Sequence, residues 1–180
     1  MQFEYVEVSK LNPQAIIKTT LNNFTRLYSA FNQLGDLTKE EVAEKINRGD
    51  CGVAAIAVHH VLKEKYKIET IIVNCRNHCW LYYEGIDYDT LQPDGYEGSA
   101  AAHWEKDINA PRCPVTFAEA CDEWMSCDVK GAVIVKGFCD KLWVKFPSEL
   151  QHCFDNADEY ERPGELEAYQ ATMQAALQLV

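Results

Sequence analysis

The turn Gly49-Asp50-Cys51-Gly52 holds the residue best suited to covalent chemistry. A run of small apolar residues, Val53 to Val58, follows at once, so Cys51 is predicted to open a helix buried on every side. Helix N-termini carry partial positive charge, which lowers a thiol's pKa, and the thiolate is the nucleophile. The flanking glycines let backbone N–H groups approach a substrate, and the Cys51 N–H is a candidate oxyanion donor. Such a thiol is expected to react with iodoacetamide well below pH 8, ahead of the other cysteines among the eight in the chain.

A nucleophilic cysteine needs a base, and the base needs an orienting group. The segment from His78 to Asp89 offers both. Glu84-Gly85 reads as a two-residue hairpin turn. That register pairs Tyr83 with Ile86, Tyr82 with Asp87 and Leu81 with Tyr88. Strand side chains alternate, so His78, Trp80 and Tyr82 share one face with Asp87 and Asp89. Asp89 lies diagonal to His78 at roughly 7 Å between backbone positions, within side-chain reach, while Asp87 is one step further away. Cys51 as nucleophile, His78 as base and Asp89 as orienting carboxylate therefore have a geometric rationale. Trp80 and Tyr82 read as core, with a site wall as the alternative.

The elements that must position these groups follow from periodicity and capping. Phe3 to Val8 alternates as a short opening strand. Asn12-Pro13 is a helix start, and Ile17, Leu21, Phe24, Tyr28 and Phe31 trace one helical face up to Gly35. Thr38 and Glu41 form a capping box for a second helix, which stops near Asn47-Arg48-Gly49. The Cys51 helix runs to a solvated end at Lys63-Glu64-Lys65, with His59 and His60 as surface residues. Ile68–Val73, Cys79–Tyr83 and Ile86–Leu91 are predicted strands. The chain from Pro93 to Pro114 is irregular and carries His103 as a loop residue; His152 is assigned to another loop. Thr116 and Glu119 cap a helix bearing Phe117, Ala120, Cys121 and Trp124. Ala132–Val135 and Leu142–Phe146 read as two more strands around Gly137. After Pro163-Gly164, a stripe of Leu166, Tyr169, Met173, Leu177 and Val180 marks a docking helix. The sum is α+β, in a single domain of 180 residues.

Composition narrows the function classes. Hydrophobic residues make up 47% and charged residues 25%, which is globular usage. The net charge of −11 argues against a nucleic-acid binder. No apolar run is long enough to span a bilayer, and Met1 to Ser9 has no basic flank or apolar stretch of a secretory signal, so a cytoplasmic, reducing location is expected. The cysteines then read mostly as small buried hydrophobes and not as a disulfide framework. Cys75-x-x-His78-Cys79 is the nearest approach to a zinc site, but it lacks a second pair of similar spacing. No metal or other cofactor is expected.

Asp50-Cys51-Gly52 with its apolar helix, then Asn77-His78-Cys79-Trp80, then Tyr88-Asp89, resembles the papain-like cysteine peptidase superfamily over about residues 47–95. The Asp-Cys-Gly start is similar to the C39-type, bacteriocin-processing peptidases, and the His-x-Trp strand followed by an Asp strand to the transglutaminase-like branch. The resemblance implies a Cys-His-Asp triad at a helix-to-sheet junction, attacking an amide or ester carbonyl through a covalent acyl-enzyme. Such peptidases usually carry a glutamine shortly before the cysteine as oxyanion donor. Lys45 to Asp50 contains none, and Asn47 is the nearest amide. The leading expectation is a soluble cysteine hydrolase acting on a protein, peptide or related amide. An acyltransferase with the same triad and a non-catalytic papain-fold module that binds a partner are the alternatives.

Overall fold

The computed structural model describes residues 12–105 and 112–180; the expected opening strand at Phe3–Val8 lies outside them. The described residues form an α+β arrangement in which helices pack on an antiparallel four-stranded sheet of order β3-β2-β1-β4. Its strands are β1 (Ile71–Cys75), β2 (His78–Tyr83), β3 (Ile86–Tyr88) and β4 (Cys113–Val115).

Helix α1 (Pro13–Phe31) begins where expected: Asn12 Oδ1 accepts the Gln14 N–H at 3.0 Å, and Pro13 takes the first helical position. It ends at Phe31, four residues before Gly35. Helix α2 (Lys39–Asn47) starts in the expected capping box, with the Thr38 N–H donating to Glu41 Oε2 at 2.8 Å and the Glu41 N–H to Thr38 Oγ1 at 3.3 Å. Helix α3 (Cys51–Tyr66) is buried without interruption from Cys51 to His59, since α1, α5 (Phe117–Met125), α6 (Val129–Lys141) and the sheet all pack against it. His59 is accordingly a buried residue and not a surface one. Its Nδ1 lies 2.9 Å from Thr70 Oγ1, and its ring stacks on Phe117.

The hairpin register is the expected one: Tyr83 faces Ile86, Tyr82 faces Asp87 and Leu81 faces Tyr88. Glu84 and Gly85 both have positive φ, 47° and 91°, as a tight hairpin turn requires. Other expectations are corrected, among them the strand from Ile86, which ends at Tyr88 and not at Leu91. β1 begins at Ile71, three residues later than Ile68. A short helix, α4 (Ala100–Glu105), interrupts the stretch expected to be irregular and carries His103.

The largest correction concerns Ala132–Val135, which is not a strand but the middle of α6, with Leu142–Phe146 following as irregular chain. A continuous apolar run has no period, so a fully buried helix and a buried strand look alike. Helical packing decides it. Asp128 Oδ1 caps the start by accepting the Gly131 N–H at 2.7 Å, and Gly137 lies where any Cβ would strike Met173 of α9 (Glu165–Leu179). Met173 and Ala176 bury the inner stripe of α9 against α6 and α1, as a docking helix should. The short helices α7 (Gln151–Asp155), which carries His152, and α8 (Ala157–Tyr160) connect the two.

Candidate active site

His78 opens β2 and is fully buried. Its Nε2 lies 3.0 Å from Asp89 Oδ2, just beyond the end of β3, so the diagonal pairing predicted from the hairpin is realised as a direct contact. Asp89 is held from several directions. Its Oδ2 also accepts the Tyr96 hydroxyl at 2.7 Å and the Trp104 Nε1–H at 3.1 Å, while Oδ1 accepts the backbone N–H groups of Leu91 and Gln92. Burial alone would raise the pKa of this carboxyl. The His78 bond and charge, the Tyr96 hydroxyl and the Gln92 N–H outweigh it and hold the group below the usual carboxylate range. With Nε2 committed to Asp89, the His78 Nδ1 is buried and makes no hydrogen bond.

The second aspartate has a different task. Asp87 Oδ2 accepts the Ala100 N–H at 2.8 Å, at the start of α4, and Arg112 Nη2 lies 3.0 Å from the same oxygen. Asp87 thus anchors the segment that covers the histidine. Trp104 of α4 packs on the His78 ring at 4.7 Å between centroids, and Trp80 stacks on it at 5.7 Å with planes 14° apart. Tyr96 and Trp104, neither singled out from the sequence, are the residues that complete this enclosure. No spacing signal connects them to His78, because only the turn after β3 brings them back.

Cys51 stands at the first position of α3, as expected, but its surroundings differ from expectation. The thiol is 3% exposed, and burial pushes its pKa up to about 11. N–H groups of Cys79, Gly52 and Cys51 directed at the sulfur favour the thiolate, and the nearby Asp50 carboxylate opposes it. The lowered pKa predicted from the helix terminus is therefore reversed: desolvation outweighs the dipole. Asp50 does not cap the helix with its side chain; it accepts the Tyr28 hydroxyl instead. Gly52 allows Trp124 to lie directly against the helix start, where a Cβ would come within 2.5 Å of that side chain.

Sulfur and ring reach β2 at neighbouring positions. Cys79 and Leu81 join the main core with α3, whereas Trp80 packs in a second cluster with Val73, Cys75, Ala100 and Ala101. His78 shares the face of Trp80. Cys51 meets the strand through Cys79, one residue further along. His78 and Asp89 are brought together; Cys51 and His78 are not joined by a hydrogen bond. Tyr82 is half-buried and packs on the second cluster, and Trp80, not Tyr82, is the one of the two that stacks on the His78 ring. Cys75 and Cys79 fall in different clusters, and among the described residues no three His, Cys, Asp or Glu side chains are grouped to hold a metal ion.

A small cavity of about 10 Å³ links the parts, lined among others by Asn47, Cys51, Trp80, Tyr88, Asp89 and Thr90. Four of its lining residues carry a buried side-chain polar atom without a partner: Asn47 Nδ2, Trp80 Nε1, Tyr88 OH and Thr90 Oγ1. Unpaired buried donors are costly, and in a folded protein each one needs a reason. Among the described residues no helix is long and apolar enough to cross a membrane. Comparison of the chain with protein-family models, curated proteins and solved structures returned no significant match.

Proposed function

We propose that this chain is a papain-like cysteine hydrolase that cleaves a peptide or related amide or ester through an acyl-enzyme on Cys51. The observation that carries this reading is the buried His78–Asp89 pair: Nε2 is held on a carboxylate, and Nδ1 is left bare one residue from the strand position that contacts the thiol. A neutral imidazole held this way has its N–H on Nε2 and its lone pair on Nδ1, the arrangement a general base requires. The tautomer follows from the acceptor-only carboxylate beside Nε2.

In the reaction, Nδ1 takes the Cys51 proton as the sulfur bonds to the carbonyl carbon and the C=O electron pair moves onto oxygen. The Cys51 N–H and Asn47 Nδ2 stabilise that oxygen. Collapse breaks the C–N or C–O bond, and His78 returns its proton to the leaving group. Water, deprotonated by the same nitrogen, then releases the acid and the free thiol. Asp89 stabilises the imidazolium without being protonated. Ring and sulfur must close on each other before proton transfer, a tightening that substrate binding commonly brings. Cys51, Cys79, Cys121, Cys139 and Cys153 are buried thiols outside any disulfide, which suits a reducing compartment.

One observation favours a second reading, a non-catalytic binding module: Cys51 is buried, rests protonated and makes no hydrogen bond to His78. An acyltransferase would share the acyl-enzyme and differ only in its acceptor. One experiment separates the three. Wild-type protein and Cys51→Ala are incubated with N-acyl peptide amides and p-nitrophenyl esters, with and without an added primary amine. A hydrolase yields acid only with Cys51, an acyltransferase yields the amine conjugate, and equal background from both proteins rejects catalysis.

A further inference from the structure

We propose that Thr90 is a catalytic residue, whose hydroxyl donates to the substrate's oxyanion together with Asn47. This rests on the cysteine-hydrolase reading above. Thr90 is 2% exposed, its Oγ1 makes no hydrogen bond, and it lines the cavity shared by Cys51 and Asn47. At about 10 Å³ that cavity has room for one water-sized group, the size of a single oxygen atom with its contacts.

The other unpartnered donors around the cavity are directed elsewhere. Tyr88's ring edge lies against the Gly95 backbone, and its hydroxyl lies in the field of Glu84 and Tyr83 at the hairpin turn. Trp80 packs its indole among Val73, Cys75, Ala100 and Ala101. Asn47 Nδ2 and Thr90 Oγ1 remain, approaching from α2 and from the turn after β3.

That turn is rigid for a reason tied to the site. Asp89 Oδ1 accepts the N–H groups of Leu91 at 2.8 Å and Gln92 at 2.9 Å, a side-chain turn that fixes the backbone of Thr90 between Asp89 and Leu91. One carboxylate therefore orients His78 with one oxygen and positions Thr90 with the other. During attack by the sulfur, the carbonyl π pair moves onto oxygen, and the two donors bind that oxygen without themselves giving up a proton. When the C=O re-forms and the leaving group departs with the His78 proton, both hydrogen bonds weaken. Donors that gain a partner only as charge develops lower the barrier without tightening ground-state binding.

The test compares Thr90→Val and Thr90→Ser with wild type on an ester or amide that wild type turns over, reading kcat, KM and melting temperature. Valine keeps the shape and removes an unsatisfied hydroxyl, so the fold is expected to be as stable as wild type or more so. The expected result is a fall in kcat of about 100-fold with little change in KM. Thr90→Ser, which restores the hydroxyl, is expected to recover most of that loss. Unchanged kcat in Thr90→Val overturns the proposal while leaving the hydrolase reading intact. A lower melting temperature with serine as impaired as valine also overturns it, because methyl packing then explains the effect. Failure of wild type to turn over any substrate rejects the hydrolase reading itself and this role with it.

Discussion

His78 Nε2 and Asp89 Oδ2 are 3.0 Å apart in a site that excludes water from both groups, and the carboxylate oxygen that meets the ring is also held by Tyr96 and Trp104. Asp89 is therefore the carboxylate that holds the His78 ring, and Asp87, bonded to Ala100 and Arg112, is a structural anchor. Asp89→Asn is expected to cost up to about 10⁴ in turnover, as the loss of an orienting carboxylate does in comparable triads. Asp87→Asn should cost far less turnover but lower the melting temperature, since it loosens α4. Parallel kinetics and thermal melts of the two variants check this, and a larger kinetic loss at Asp87 would exchange their roles.

The thiol is expected to be slow. Cys113 and Cys127 are exposed, whereas Cys51 is buried with its pKa raised to about 11. At pH 7.5, iodoacetamide should label Cys113 and Cys127 first and Cys51 only after denaturation or substrate-induced opening. Mass mapping of the alkylated peptides over time measures the order. Early labelling of Cys51 would show that the helix terminus activates it after all.

Acid should destabilise the fold through His59. Burial, with Lys63 and His60 nearby and Glu69 only partly compensating, lowers its pKa to about 4. The unfolded chain takes up a proton near 6.5, so this contribution to stability is complete above that value and is lost as pH falls toward 4. The loss reaches up to about 3 kcal/mol at the acid end. Melting temperatures from pH 7 to 4.5 should fall more steeply for wild type than for His59→Gln. Parallel curves would place the acid sensitivity elsewhere.

Trp143 offers a test of the backbone that is independent of chemistry. It follows α6 with φ 58° and is 94% exposed, in a Schellman motif closed by Val144 N–H to Cys139 O at 2.9 Å and Trp143 N–H to Asp140 O at 3.2 Å. This left-handed position suits glycine. Trp143→Gly should stabilise the protein by about 1 kcal/mol, read by denaturant melts, because the side chain contributes little packing to offset its strain. A destabilised variant would mean that the tryptophan packs in solution.

The hairpin was the most legible part of the sequence, since alternation and a two-residue turn together set one register and with it the His78–Asp89 pair. Capping boxes at Thr38 and Thr116 were equally direct, because each is a local exchange of hydrogen bonds. Alternation could say that His78 and Trp80 share a face, but not which face α3 would cover, and this is why Cys51 and His78 approach β2 differently from expectation. The helix terminus favours a Cys51 thiolate, but the burial that outweighs it is set by tertiary packing that no local pattern shows. Tyr96 and Trp104 were invisible for a related reason: their role depends on a return of the chain that no local pattern encodes. Residues 132–135 read equally as helix or strand because an all-apolar run carries no period.

The central claim is a covalent acyl-enzyme on Cys51 formed with the help of His78. Rapid acid quench of the protein with an N-acyl amino acid p-nitrophenyl ester, followed by peptide mapping, tests it most directly. The expected result is an acyl thioester on Cys51 that forms and decays in wild type and is lost in both Cys51→Ala and His78→Ala. Acylation confined to exposed Cys113 or Cys127, at a rate that His78→Ala leaves unchanged, would contradict it.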